Sequence, residues 1–331
     1  MDKKNTQRNY TQDFIRTLAI FLVIILHISA YFMGDNSKQL NANFWAGDIL
    51  DAFARICVPL FVMSSGFFLI KEEAEDIPTF FKKRTNKLLI PLVFWSLIYS
   101  EYTYKWHASL SNIVWSFLSG RPYYHLWFLF MLIGLYLVAP FINILYQKYG
   151  LGKMNTAGLV LLFFGFAIDM WQVRFGDPFF LLWFIPYLGY FILGHTLPQM
   201  KYNLSSLKSF SIYFVASVGL VWAGYWTLLK FNNSEYAFDY LSPLVIIASL
   251  GLYMALSKIS MKESWLTRIG KYTLGIYVIH ILFMEKLFQL THMVIFGNGI
   301  LDIVTLALAT FILSWASVYV ISKIPVLKKT V

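Results

Sequence analysis

The sequence predicts an all-α fold: a polytopic membrane helical bundle of about ten transmembrane helices, with the N- and C-termini in the cytoplasm. Three observations lead there. Of 331 residues, 58% are hydrophobic and only 13% charged, with a mean hydropathy of +0.61, far too little charge to cover a water-facing surface. Ten mostly apolar runs approach the roughly 20 residues that a helix needs to cross a bilayer. Lys and Arg are concentrated on alternate connectors between those runs, as short cytoplasmic loops require.

The runs lie at residues 14–33, 52–70, 88–104, 124–146, 157–173, 179–197, 207–228, 241–256, 272–290 and 300–321. The first follows Lys3, Lys4 and Arg8. The second is led in by 44–53, whose Trp45, Asp48 and Asp51 suit an interfacial start. A basic stretch at 80–87, with Lys82, Lys83, Arg84 and Lys87, feeds the third. Between the third and fourth, Leu110–Leu118 reads as a short amphipathic helix on the outer surface. The fourth opens on His125-Leu-Trp127-Phe128, where Trp is a natural interface anchor. Asp169 closes the fifth, and the sixth to eighth carry little charge. The ninth contains His280 and Glu285, and the tenth ends before Lys323, Lys328 and Lys329.

With the N-terminus inside, nineteen cations fall on inner segments and six on outer ones: Lys38, Lys105, Arg121, Arg174, Lys230 and Lys286. Arg16 and Arg55 lie at or within runs. A missed or invented span would break this alternation. The formal net charge of +10 therefore reads as topogenic rather than as a nucleic-acid surface. A single cysteine, Cys57, excludes an intrachain disulfide and a Cys-based metal site. No zinc spacing, phosphate-binding loop, dinucleotide glycine pattern or Gly-x-Ser-x-Gly elbow occurs, so no metal is expected. Neither a cleavable leader nor a soluble domain stands out, and residues 1–331 read as one membrane domain.

Ionisable residues inside apolar runs are costly and point to function. Arg16 and His27 are eleven residues apart, about 1100° of helical rotation and so about 20° from whole turns, with an axial separation of roughly 16 Å. They share a face, Arg16 at the edge and His27 deeper. Taken alone, Arg16 suits a topological anchor, whereas a half-buried imidazole in mid-membrane suits proton transfer. Asp13 is placed to pair with Arg16. Asp51 and Arg55, four apart, suit either a structural ion pair or substrate binding. Ser65-Gly66 suits packing against a neighbouring helix. The cations at 80–87 suit lipid headgroups or the phosphates of coenzyme A. Trp127 suits an interface anchor, and His125 with Arg121, Tyr123 and Tyr124 upstream equally suits a sugar-binding mouth. His280 and Glu285, five apart, point to different faces, and a structural hydrogen bond across helices is the expectation for each.

Together these residues resemble the integral membrane acyltransferase-3 family, particularly its enterobacterial-common-antigen-type O-acetyltransferases, over essentially the whole chain. The resemblance rests first on the Arg-x10-His pattern at Arg16 and His27. Next come Arg55-x-x-Val-Pro-Leu-Phe61 with Ser65-Gly66, then His125-Leu-Trp-Phe and the Tyr272–His280 stretch. The family's Arg-x-x-Arg appears here as Arg84-x-x-Lys87, which keeps charge but loses a bidentate fork.

The resemblance implies a bacterial inner-membrane enzyme that takes acetyl from cytoplasmic acetyl-CoA and places it on a sugar hydroxyl of a lipid-linked or surface polysaccharide. Coenzyme A phosphates would meet Arg84, Lys87, Lys83 and Arg16, Arg16 being also a catalytic candidate that could stabilise the developing oxyanion, though its edge position favours the phosphates. His27 would be general base or transient acyl acceptor. Asp51, Arg55, His125 and Trp127 would face the acceptor. The lipid bilayer, acetyl-CoA and a glycan are then the expected partners, with no nucleic acid. A transporter using the same buried charges as a substrate path is the alternative.

Overall fold

The computed structural model describes residues 8–36, 39–71, 75–104, 107, 109–175, 179–201, 204–232 and 235–331. Of the cations that orient the chain, Lys3, Lys4, Lys38 and Lys105 lie outside the described residues, as does the side chain of Arg174.

All regular structure among the described residues is helical. Helix α1 spans Tyr10–Asn36, α2 Ala42–Ala54, α3 Cys57–Leu69, α4 Ile77–Thr103 and α5 Leu110–Leu118. They are followed by α6 Trp127–Phe175, α7 Leu188–Thr196, α8 Ser206–Phe231, α9 Glu235–Phe238, α10 Pro243–Ser257, α11 Trp265–Ile269, α12 Thr273–Thr291 and α13 Gly299–Ile321. Every one of the ten apolar runs falls on helical or helix-like structure.

Among the described residues, eight helical stretches are long and apolar enough to cross a membrane, against ten expected, and two physical facts account for the difference. The first is that one stretch, Trp127–Trp171, has 45 residues, about 68 Å of helix and twice a hydrocarbon core. It turns back on itself at Gly150 (φ 73°, ψ 176°). Contacts with the segment through α7 prove the reversal. Gly134 packs on Phe184, and Tyr146 on His195 further along, so the first half runs parallel to that segment. Gly165 meets Pro186, Gly158 meets Leu193, and Thr196 bonds Asn155, so the second half runs antiparallel.

The second fact is that α4 opens with the basic stretch and is less apolar than the eight. Its later half still packs into the bundle through buried Leu92, Trp95 and Tyr99. There Trp95 Nε1–H donates to the Thr330 carbonyl, and the Tyr99 hydroxyl to that of Val278, both at 2.8 Å.

Proline places the main irregularities. The second run splits at Arg55-Ile56 because Pro59 offers no N–H to the carbonyl of Arg55, four residues back. The sixth run opens as two short 3-10 turns, with Pro186 in the second, before α7 begins. Between α3 and α7 there is no room for side chains. A Cβ on Gly66 would lie 1.7 Å from the Phe191 carbonyl oxygen, and one on Gly194 would lie 1.9 Å from that of Met63, so Ser65-Gly66 is the packing site its composition suggested. Helix α1 packs against α2, α3, α12 and α13. Ile15, Ile20, Ile24 and Ile28 are therefore fully buried around it. Gln12, Asp13, Thr17 and Ser29 of α1 are buried with them, and Arg16 and His27 are half-buried. By contrast α5 leaves Leu110 and Trp115 78% and 73% exposed, as an amphipathic surface helix does.

Candidate active site

On α1, Arg16 and His27 occupy the same face, as their spacing requires. Arg16 is half-buried beside the Phe68 ring, 5.9 Å from its centroid. Among the described residues no hydrogen bond or ion pair engages it. Asp13 pairs instead with Arg8 at 2.5 Å, and Arg8 also donates to the Thr267 carbonyl at 2.8 Å. Arg8 reaches Asp13 from outside the helix and is tied down by α11, so the expected Asp13–Arg16 pair does not form. Arg16 keeps its donors for something else.

His27 sits in a cluster of three imidazoles that no local pattern announces. The His280 ring of α12 stacks on it with centroids 5.5 Å apart and planes 30° apart. His125, in the segment leading into α6, packs edge-on to His280, also at 5.5 Å. The Tyr124 ring packs edge-on to His27 at 5.4 Å and lies 5.7 Å from His125. The hydrogen bond of His280 runs within its own helix, from Nδ1 to the Tyr277 carbonyl at 2.6 Å, and not across helices as expected. The reason is the three-residue separation, which brings the ring over the preceding turn. Tyr277 in turn donates its hydroxyl to the His125 carbonyl. Both ring nitrogens of His125 and Nε2 of His280 are buried with no hydrogen-bond partner among the described residues. Each such atom costs on the order of 1–3 kcal/mol, and their grouping in one place suits a ligand carrying hydroxyl or carbonyl groups.

Glu285 joins the same region by a route invisible in its spacing. Its carboxylate accepts the hydroxyls of Tyr102 at 2.7 Å and Tyr123 at 2.6 Å. Tyr123 stacks on Tyr99 at 4.7 Å and touches Tyr124 at 5.0 Å. Burial, followed by the Glu285 carboxylate, pushes the Tyr123 phenol above its ordinary range, so it remains a donor. Tyr102, Tyr123, Tyr124 and Glu285 are therefore a polar aromatic wall beside His27, of which sequence reasoning missed Tyr102 and the role of Glu285.

Asp51 and Arg55 form the expected pair at 2.5 Å. Arg55 lies 5.1 Å from the Phe238 centroid and 5.6 Å from that of Tyr240. Trp127 stacks on Tyr240 at 5.9 Å. Arg55 also acts electrostatically on His27, which ties this group to the imidazole cluster. Asp48 is fully buried beside them, with neither carboxylate oxygen bonded among the described residues. Removing one member of a buried ion pair typically costs 3–5 kcal/mol, so the Asp51–Arg55 pair is structural whatever else it does.

The basic stretch is organised by Glu75. Asp76 caps α4 by accepting the Thr79 N–H at 3.0 Å, which places Lys83 and Arg84 over the preceding residue. Glu75 pairs with Arg84 at 2.6 Å and with Lys83. Arg84 lies 4.2 Å from the Phe80 centroid, while Lys82 and Lys87 stand exposed. Arg16 and Arg84 both act electrostatically on Tyr136 of α6, which relates these two cations through one phenol. No group of three or more His, Cys, Asp or Glu among the described residues is placed to hold a metal ion.

Comparison with known proteins places the fold in a family. Residues 9–319 match the family profile described as an acyltransferase domain. A segment of 122 residues, 35% of this chain, is 33% identical to an amino-acid racemase of Enterococcus faecalis. The match spans only 16% of that protein. No solved structure matches. With a multi-pass helical bundle, an arginine–histidine face at its centre and a family match over nearly its whole length, the chain belongs to the acyltransferase-3 family.

Proposed function

We propose that this membrane acyltransferase transfers an acetyl group from cytoplasmic acetyl-CoA to a sugar hydroxyl of a lipid-linked or surface polysaccharide, in the manner its resemblance to the enterobacterial-common-antigen-type enzymes suggests. The N- and C-termini face the cytoplasm of a bacterial inner membrane, following the distribution of Lys and Arg. The observation that carries the reading is the pairing, on one face of α1, of a guanidinium with no hydrogen bond or ion pair among the described residues and an imidazole set among other imidazoles.

Arg16 and Arg84, which both act on Tyr136, receive the phosphates of coenzyme A, with Lys83 and Lys87 at the entrance. Glu75 releases Lys83 and Arg84 when phosphate oxygens replace its carboxylate. The pantetheine arm follows α1 for roughly 16 Å and delivers the thioester carbonyl to His27. There His27 acts as general base on the acceptor hydroxyl or takes the acyl group itself. His125, with Trp127, Asp51 and Arg55 around Tyr240, lines the acceptor side.

The test is release of coenzyme A from radiolabelled acetyl-CoA by purified protein in lipid, with a glycan extract of the host membrane as acceptor. Wild type is expected to turn over. His27→Ala is expected to lose turnover by at least about 10²-fold while still binding coenzyme A. No thioester consumption by wild type would sink the reading and favour transport.

A further inference from the structure

His280 is the residue the sequence assigns to structure and the fold assigns elsewhere. A carbonyl oxygen can only accept, so the 2.6 Å contact between Nδ1 of His280 and the Tyr277 carbonyl puts the proton on Nδ1. In the neutral ring Nε2 then carries a bare lone pair. That nitrogen is fully buried and has no partner among the described residues. Its ring is stacked on His27 and touches His125. His125 faces the Val278 backbone, and neither of its ring nitrogens makes a hydrogen bond of normal geometry among the described residues. Of the two imidazoles beyond His27, His280 has its tautomer set by a close hydrogen bond to the backbone.

We propose that His280 is a second catalytic residue, the base that takes the proton of the acceptor hydroxyl, and that His27 is thereby free to carry the acyl group. This rests on the acyltransferase reading above and divides its chemistry between two rings. In the first step a nitrogen of His27 attacks the thioester carbonyl. The C–N bond forms, the C–S bond breaks, and the proton of that imidazole leaves with the thiolate as coenzyme A thiol. In the second step the acceptor hydroxyl gives its proton to Nε2 of His280 as its oxygen attacks the acetyl carbon. The C–O bond forms and the C–N bond breaks. His280 then returns the proton to His27, restoring both neutral rings. An acylated His27 cannot itself deprotonate the acceptor, so this route needs a neighbouring base with an open lone pair.

Two isosteric variants separate chemistry from architecture. In His280→Asn the amide nitrogen takes the place of Nδ1 and keeps the bond to the Tyr277 carbonyl, but nothing replaces Nε2. In His280→Gln a polar atom returns near Nε2 that cannot take up a proton. Each is mixed, in lipid, with radiolabelled acetyl-CoA and then with the glycan extract, after its melting temperature has been compared with wild type.

Both variants should release about one coenzyme A per chain and hold label on the protein, removable by hydroxylamine. Both should transfer it to the extract roughly 10²-fold or more slowly than wild type. Steady transfer at the wild-type rate by His280→Asn would reduce His280 to structure, and by His280→Gln would reduce it to hydrogen bonding. A stable variant that binds coenzyme A but releases none would overturn the division of labour. Failure of wild type to consume thioester at all would instead sink the reading on which the proposal stands.

Discussion

Glu75 holds two of the cations that a coenzyme A phosphate would need, and its chemistry can be read separately from theirs. Hydrogen bonds from Lys83 and then from Arg84 outweigh partial burial and hold its carboxyl below the ordinary value of about 4.5. A value lowered in the folded state means that the contact stabilises the connector above the unfolded value and is lost as pH falls through the folded one. Melting temperature should therefore begin to drop below about pH 4.5, and Glu75→Gln should remove that part of the drop. The same variant frees Lys83 and Arg84, so its KM for acetyl-CoA should fall several-fold with kcat little changed. A raised KM would mean that Glu75 positions the cations rather than competing for them. At this scale the sequence discloses Arg16 and His27, because one helix fixes their relation. It does not disclose the places of His280, Glu285 or Tyr102, which depend on which turns of α4, α12 and the segment before α6 come together.

Helix crossings set the tolerance of the bundle to small changes. At Gly194 an added methyl would strike the backbone of α3, which cannot move aside as a side chain does. Gly194→Ala should cost about 3 kcal/mol or more, seen as a lower melting temperature in detergent or loss of a monodisperse species. At Gly150 no atom lies within 4 Å of a new Cβ, and the cost is only the backbone conformation, about 1–3 kcal/mol. Gly150→Ala should thus be the milder variant, and the reverse order would contradict the tight α3–α7 crossing. The ten apolar runs were legible because their length is a property of the chain alone. The split at Arg55 and the 3-10 entry to α7 were less so, since a proline in a membrane helix leaves open whether the chain kinks, breaks or continues.

For the whole molecule, the fold class follows from composition, while its orientation rests on charge. Cys57 is fully buried, so it should be silent to a membrane-impermeant maleimide. Lys82→Cys in the basic stretch and Trp115→Cys on α5 should then label from opposite faces of sealed vesicles, Lys82→Cys from the cytoplasmic one. Labelling of both from one face would reverse or remove a span between them. The convergence of three imidazoles at the centre was beyond any reading of the chain, because it is produced by α1, α12 and the approach to α6 packing together. Arg16 and His27 differ in this respect: both ride on one unbroken helix. Their separation is a property of covalent geometry, so a loosening of the bundle changes their surroundings but not the gap between them. Under the proposed donor path α1 acts as a caliper. It measures the carrier from phosphate to thioester and leaves the acyl group beyond its jaws, to be judged by the tyrosines and imidazoles around His27.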